Sequence, residues 1–217
     1  MQDETTIALP DGIVLHADVG EPARPPLGTV VFAHGSGSSR HSPRNRHVAD
    51  LLRRSGLQTV LLDLLTQEEE REDMRSRALR FDIELLADRV AAAAAWAHGL
   101  GGEPIGLFGA STGAAAALVA AARRPAVVGA VVSRGGRPDL AADLLDQVES
   151  PTLLIVGGLD GTVLRMNREA LAGMRTTTAL EVVAGAGHLF AEPGALDEVA
   201  RHASAWFVRY LSAAAAG

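Results

Sequence analysis

The chain has 217 residues, of which 47% are hydrophobic and 21% charged, with a formal net charge of −6. This size fits one globular domain, and we expect residues 1–217 to form it. The mild acidity argues against a nucleic-acid partner, and the lack of cysteine excludes disulfides and a thiol nucleophile. The acidic N-terminus is unlike a secretory signal and no apolar stretch reaches membrane-spanning length, so we expect a cytoplasmic protein without a membrane partner.

Short apolar runs rich in β-branched residues alternate with longer segments rich in alanine and leucine. The first run, residues 13–19, alternates in polarity and is typical of an antiparallel strand. Later runs are almost continuously apolar, as strands covered on both faces are; they comprise residues 29–33, 59–62, 105–108, 127–132, 152–156 and 180–183. This order predicts an α/β fold with a mostly parallel central sheet and helices on both faces.

Helices are predicted between these strands, at residues 43–55, 80–98, 112–124 and about 194–211. Ser42 is a suitable N-cap for the first helix, and Gly56 a suitable terminator. The tail, 213–217, is expected to fray. The charged run in 67–77 is typical of a solvated loop or helix face, and it is also the only sizeable candidate for a small flap. A chain this short leaves little or no room for a cap domain.

Residues 109–113, Gly-Ala-Ser-Thr-Gly, match the pattern G-x-S-x-G between a predicted strand and a predicted helix. The pentapeptide alone is a weak signal, since a serine in a glycine-rich turn can simply cap a helix. In a strand–turn–helix context, however, the turn projects the Ser111 hydroxyl from the sheet edge. The helix that follows directs free amide groups and its positive dipole end toward a developing oxyanion. We therefore predict Ser111 as the nucleophile.

A serine hydroxyl needs a base within hydrogen-bond reach, and a carboxylate must hold that base in one tautomer. Only two histidines follow Ser111 in the chain. His202 falls within the last predicted helix, where we expect a surface position. His188 follows the last predicted strand in a glycine-rich loop, so we predict it as the general base.

The acid should lie between the serine and the histidine, just beyond a strand. Asp160 is the only carboxylate in the loop 157–163, which follows the run 152–156. Asp139 and Asp143 are more easily explained as dipole partners at the start of a helix. A lone aspartate in a glycine-rich turn is ordinarily structural, but the required chain order favours Asp160 as the acid.

The second half of an oxyanion hole should come from the loop after the strand 29–33. That loop is rich in small residues, which let backbone amides approach a substrate closely. We predict the amides of Ser36 and Thr112 as the donors, with Gly37 as the alternative to Ser36. His34 precedes this loop and is interpreted as a group that braces it rather than as a base.

Four arginines, Arg40, Arg44, Arg134 and Arg137, follow predicted strand ends, where ligands bind in open α/β sheets. Arginine at a pocket mouth suits a carboxylate or a phosphate. Arg40 and Arg134 are therefore candidate substrate-binding residues. The alternative, that these are solvated arginines in an arginine-rich sequence, stays open.

Together the motifs at residues 34–37, 109–113, 158–163 and 187–190 resemble the α/β-hydrolase superfamily, above all its small, lidless dienelactone-hydrolase-like members. The resemblance runs from about residue 28 to the last helix. The stretch 38–45 also resembles a subgroup of bacterial hydrolases, some of which are joined to a phosphoribosyltransferase domain, and no such second domain is expected here. One departure is that the best-known dienelactone hydrolases use a cysteine nucleophile where this chain has Ser111.

The resemblance and the three ordered residues imply a serine hydrolase that cleaves a small carboxylic ester, thioester or lactone through an acyl-enzyme. No metal or cofactor is implied. Two alternatives stay open: a non-catalytic scaffold that binds a small ligand or a partner, and the same triad used for acyl transfer or perhydrolysis. A homo-oligomer is also left open.

Overall fold

The computed structural model describes residues 2–101 and 103–214. Within these residues eight strands form one sheet. The strands are β1 (Gln2–Ala8), β2 (Val14–Gly20), β3 (Thr29–Ala33), β4 (Gln58–Leu62), β5 (Ile105–Ala110), β6 (Val128–Arg134), β7 (Thr152–Gly157) and β8 (Thr178–Val183). The α-helices are α1 (Pro43–Arg54), α2 (Gln67–Ser76), α3 (Ile83–Gly101), α4 (Thr112–Arg123), α5 (Gly161–Gly173) and α6 (Ala195–Ala214). Two 3-10 segments, Leu79–Phe81 and Pro138–Gln147, lie between them.

The strand order across the sheet is β1-β2-β4-β3-β5-β6-β7-β8. Strand β2 is antiparallel to both β1 and β4, and every other pairing is parallel. The strands β3 to β8 are thus parallel to one another, and their carboxyl ends meet at one edge of the sheet, where open α/β sheets bind ligands. The predicted mostly parallel sheet with an early antiparallel strand is confirmed.

The sheet is covered on both faces because its strands present apolar side chains alternately to each side. On one face, Val30, Phe32 and Phe108 pack against α1 and α6, and the rings of Phe32 and Phe108 lie 4.8 Å apart. On the other face, Val31 and Leu107 belong to a second core cluster that includes α3 and α4. No cap domain is present among the described residues, which confirms the expected lidless architecture.

Helix α1 begins as the sequence predicts, because the Ser42 hydroxyl accepts the amide of Asn45 at 3.3 Å. Its buried stripe is Asn45, Val48, Ala49 and Leu52, spaced at helical intervals. The predicted helix 80–98 starts later, since a 3-10 turn precedes α3. Residues 213 and 214 continue α6, and the rest of the tail predicted to fray lies outside the described residues.

Two elements were not predicted. Strand β1 is polar except for Ile7 and Ala8, and it forms through its pairing with β2 at the sheet edge. Helix α5 begins at a glycine and buries Val163, Asn167 and Ala170. A helix that starts at glycine and buries an asparagine has a weak pattern, and packing stabilises it instead.

Candidate active site

Ser111 occupies a sharp turn between β5 and α4. Its φ of 53° and ψ of −119° lie in a region that residues with a side chain rarely adopt. A Cβ on Gly109 would lie 2.4 Å from the Cα of Ala114, and one on Gly113 would lie 2.4 Å from the carbonyl oxygen of Ala33. Both glycines are thus required by backbone contacts, and the turn that presents the serine cannot form with larger residues there.

Asp160 and His188 are joined by a hydrogen bond. The Asp160 Oδ2 atom accepts from His188 Nδ1 at 2.7 Å, although 28 residues separate the two. The aspartate side chain is 15% exposed and the histidine side chain 40%. Since Nδ1 is held by the carboxylate, Nε2 is the nitrogen free to take a proton. His188 and Ser111 line the same cavity, of about 210 Å³.

The loops that carry the acid and the base are tied to each other through the backbone. The amide of Leu159 donates to the carbonyl oxygen of Ala186 at 2.9 Å, and that of Gly158 donates to Val183 at 2.8 Å. Phe190, two residues after the histidine, has a positive φ of 53° and is only 1% exposed. Its buried ring anchors the His188 loop, so the histidine is fixed although its own side chain is partly exposed.

Asp160 has a second role in the structure. It is the N-cap of α5, where its Oδ1 atom accepts the amide of Val163 at 3.4 Å. Asp160 therefore has the structural role expected of an aspartate in a glycine-rich turn, and it contacts His188 as well. One carboxylate serves both because each of its oxygens has a different partner.

Ser36 and Thr112 lie together on the wall of a second, larger cavity of about 790 Å³. The amide of Thr112 belongs to the first turn of α4 and has no acceptor within that helix. Ser36 lines both cavities and so stands between them. The structure thus brings the predicted oxyanion residues next to Ser111, while Gly37, the alternative donor, follows in the same loop with a φ of 68°.

His34 braces the oxyanion loop, as its position in the sequence suggested. Its Nδ1 atom is 2.9 Å from the carbonyl oxygen of Gly35, and its Nε2 atom accepts the amide of Leu64 at 3.1 Å. Burial lowers the pKa of His34, outweighing the opposing effects of Gly35 and Asp63. A neutral ring that donates at Nδ1 and accepts at Nε2 is the only form that satisfies both contacts.

The charged run 67–77 forms α2 and walls the larger cavity. Its N-terminus is a capping box, in which Thr66 and Glu69 each bond the backbone of the other. Glu69 also pairs with the buried Arg89 at 2.9 Å. Asp73, 3% exposed, accepts from Arg80 Nε at 2.5 Å. The run is thus only partly the solvated face that its composition indicates.

Arg40 departs from the expectation that it binds substrate. Its Nε donates to Asp18 at 3.1 Å, its Nη2 donates to Glu4 at 2.7 Å, and its Nη1 pairs closely with Asp63. Burial alone would lower the pKa of Arg40, but Asp63 and Asp18 outweigh burial and raise it. Arg40 lines neither cavity, because three carboxylates already hold its guanidinium.

Arg134, by contrast, lies on the wall of the small cavity with Ser111. It is 8% exposed, and its one side-chain hydrogen bond goes from Nη2 to Asn45 Oδ1 at 3.3 Å. Burial, followed by repulsion from Arg44, lowers its pKa to about 10. Asn45 was not predicted as a site residue, although a polar residue in the buried stripe of a helix is a signal that could have indicated it.

Across 2–101 and 103–214, no three His, Asp or Glu side chains gather closely enough to hold a metal ion. In the same ranges no helix is both long and apolar enough to cross a bilayer.

A mostly parallel sheet with a serine on the turn after a central strand, followed by an acid and a histidine on neighbouring loops, defines an α/β hydrolase. The chain belongs to the dienelactone hydrolase family, whose model matches residues 15–213. This family match supports a hydrolase.

Solved structures agree with this assignment. A dienelactone hydrolase from Anabaena variabilis is 52% identical, with a TM-score of 0.94 over 97% of this chain and 98% of that one. Est1E from Butyrivibrio proteoclasticus has a TM-score of 0.81 over 96% of this chain and 99% of that one, at 15% identity. A likeness at so low an identity shows the fold alone.

The similar curated proteins are longer than this chain. A putative phosphoribosyl transferase from Mycobacterium tuberculosis is 53% identical over 213 residues, which are 97% of this chain and 46% of that protein. The chain therefore spans about half the length of the curated relatives that it matches.

Proposed function

We propose that this hydrolase cleaves a carboxylic ester, thioester or lactone of a small molecule, with Ser111 as nucleophile, His188 as general base and Asp160 as the orienting acid. The observation that carries the proposal is the 2.7 Å bond between Asp160 and His188 beside the cavity that Ser111 lines. This is the arrangement by which a carboxylate holds an imidazole ready to take a serine proton.

In the proposed reaction, the Ser111 oxygen attacks the substrate carbonyl carbon while His188 Nε2 takes the hydroxyl proton. Asp160 stabilises the imidazolium, and the amides of Ser36 and Thr112 donate to the oxyanion. The proton then passes to the leaving group, whose bond to the carbonyl carbon breaks and leaves an acyl-enzyme. His188 next activates a water that releases the acid and restores the serine.

The rigidity of the two loops supports this proposal. The Leu159–Ala186 and Gly158–Val183 hydrogen bonds and the buried Phe190 ring hold the acid and the base in register before any substrate binds. Catalytic groups fixed in advance need no reorganisation during the reaction.

The first test is Ser111→Ala with 4-nitrophenyl acetate as substrate. We expect kcat/KM to fall by roughly 10⁴-fold or more, because no other group replaces the nucleophile. The matched control is Ser204→Ala, the same change on α6, which should keep full activity. Circular dichroism should show both variants folded.

Labelling by a fluorophosphonate probe provides an independent test. The wild-type protein should be labelled at Ser111, and Ser111→Ala should not be labelled. Hydrolysis retained by a folded Ser111→Ala variant would overturn the assignment, and an unlabelled, inactive wild-type protein would favour the non-catalytic scaffold instead.

Three further expectations stay predictions from the sequence. They are cytoplasmic localisation, the absence of nucleic-acid and membrane partners, and the choice between monomer and homo-oligomer.

A further inference from the structure

We propose that the small cavity beside Ser111 is an anion subsite, in which Arg134 and Arg44 bind a carboxylate or phosphate group carried by the substrate. The inference rests on the proposed function, because it assigns a substrate class to the same site. Four features of the cavity support it: an incompletely paired buried cation, a second cation, the N-terminus of a helix, and a lining without carboxylates.

The buried cation is Arg134. Among the described residues it forms no ion pair, and its Nε and Nη1 atoms are buried without a hydrogen-bond partner. The Asn45 oxygen and the ring of Phe190, 5.9 Å from the guanidinium carbon, are uncharged neighbours. Even with its pKa lowered to about 10, this side chain is protonated at neutral pH. A buried charge without a counterion is costly to the fold, and such groups cluster at functional sites.

Arg44 supplies the second cation. It is half-buried, it lines the same cavity, and its Nε atom likewise has no partner. The charge of Arg44 helps to lower the pKa of Arg134, and two neighbouring cations are expected to share an anion when one is present. The planar guanidinium groups suit the paired oxygens of a carboxylate or phosphate.

The N-terminus of α1 adds a third positive contribution. Ser42 and Arg44, which flank its first residue, both line the cavity, and the first turn of the helix contains no acidic residue. Pro43 has no amide N–H and Ser42 accepts that of Asn45, so the contribution of this terminus is the positive end of the helix dipole, which favours an anion.

The lining contains no carboxylate to neutralise these groups. Besides Arg44 and Arg134, the cavity is lined by Gly35, Ser36, Ser38, Ser42, Asn45, Ala110, Ser111, His188 and Leu189. Asp160 lies behind His188 and is engaged by it. The cavity is therefore positively charged next to the nucleophile.

The size of the cavity limits what it can hold. At about 210 Å³ it is below the range of about 300–1,000 Å³ typical of whole-ligand pockets. It can accept a charged substituent close to the scissile carbonyl but not a large molecule. The remainder of the substrate would extend past Ser36 into the cavity of about 790 Å³.

The experiment measures binding directly, by calorimetry at low ionic strength with succinate and with inorganic phosphate as probes. The protein is Ser111→Ala, so that binding does not depend on catalysis. We expect at least one of the two anions to bind with a Kd of millimolar or tighter, and uncharged succinamide not to bind. Arg134→Gln should raise the Kd roughly tenfold or more, as the loss of a charge-assisted contact does.

Two further variants make the result specific. Arg44→Gln, at a half-buried position, should also weaken anion binding, and an unchanged Kd would remove Arg44 from the subsite. Arg137→Gln is the matched control: it removes the same charge nearby, but this arginine pairs with Asp139 at 2.7 Å and lines neither cavity. Its Kd should equal that of the parent protein.

The probes also distinguish the source of the anion. Tighter binding of succinate assigns a carboxylate, and tighter binding of phosphate assigns a phosphate ester. Failure of both anions to bind, or equal weakening by Arg137→Gln and Arg134→Gln, would overturn the subsite even if Ser111 hydrolyses neutral esters. Conversely, anion binding by a protein without esterase activity would keep the subsite and remove the proposed function.

Discussion

The regions around Arg40 and Arg134 contain two arginines near strand ends of the same sheet: Arg134 is the last residue of β6, and Arg40 lies in the segment between β3 and α1. Arg40 is held by Glu4, Asp18 and Asp63, and these carboxylates raise its pKa. Arg134 has no carboxylate partner among the described residues, and burial lowers its pKa to about 10. An arginine near a strand end is therefore a candidate for binding substrate only where the fold places no carboxylate beside its guanidinium group.

The largest expected effect tests this contrast through stability. Arg40→Gln leaves Asp63, whose side chain is 13% exposed, without its cation, while Asp18 keeps its ion pair with Arg46 at 2.9 Å. We expect the free energy of unfolding to fall by roughly 2–4 kcal/mol, since breaking a buried ion pair leaves unpaired charge. Arg134→Gln removes an uncompensated buried charge and should change the free energy by less than about 1 kcal/mol or increase it.

Urea unfolding followed by circular dichroism measures both variants, and anion binding measured on the same samples completes the comparison. Arg40→Gln should lose stability and keep anion affinity, whereas Arg134→Gln should do the reverse. If both variants lost stability equally, Arg134 would stabilise the fold as Arg40 does, and its lack of a carboxylate partner would not indicate a role in binding.

A smaller effect is expected at Asp73, which anchors the α2 wall of the larger cavity. Burial would raise the pKa of Asp73, but its bonds from Arg80 outweigh burial and lower it. Asp73→Asn should therefore cost roughly 1–3 kcal/mol of unfolding free energy at pH 7. Because the folded pKa is depressed, this contribution is complete above the unfolded pKa of about 4 and is lost as the pH falls through the folded pKa.

Urea unfolding at several pH values checks this prediction. The difference between wild type and Asp73→Asn should shrink as the pH falls below about 4. Glu72→Gln, at the neighbouring exposed position of the same helix, is the matched control and should stay close to wild type at every pH. A difference that did not depend on pH would mean that the aspartate charge is not what anchors α2.

The smallest expected effect concerns Met74 on the wall of the larger cavity. Its side chain is 69% exposed, so Met74→Ala should change the free energy of unfolding by less than about 0.5 kcal/mol. If the uncharged part of a substrate occupies that cavity, KM for 4-nitrophenyl octanoate should rise roughly threefold while KM for the acetate stays unchanged. Equal changes for both esters would show that the larger cavity does not bind the acyl chain.

Much of the fold could be predicted from sequence because the strands of a covered parallel sheet are continuous apolar runs. The strand 29–33 and the start of α1 at Ser42 were predicted from such local signals. Strand β1 and helix α5 could not be, because each is stabilised by packing against the rest of the sheet rather than by its own pattern. The partial burial of α2 could not be predicted for the same reason. Its Asp73 pairs with Arg80 and its Glu69 with Arg89, and both arginines lie outside the helix.

The family and the candidate residues Ser111, Asp160 and His188 could be predicted from the sequence alone, because each residue lies in a short motif beside a recognisable strand. Which arginine is paired with carboxylates became clear only from the fold. Arg40 meets carboxylates 36 and 23 residues away along the chain, and Arg134 meets Asn45, 89 residues away. The state of a charge depends on what the fold places around it, and no local pattern contains that information.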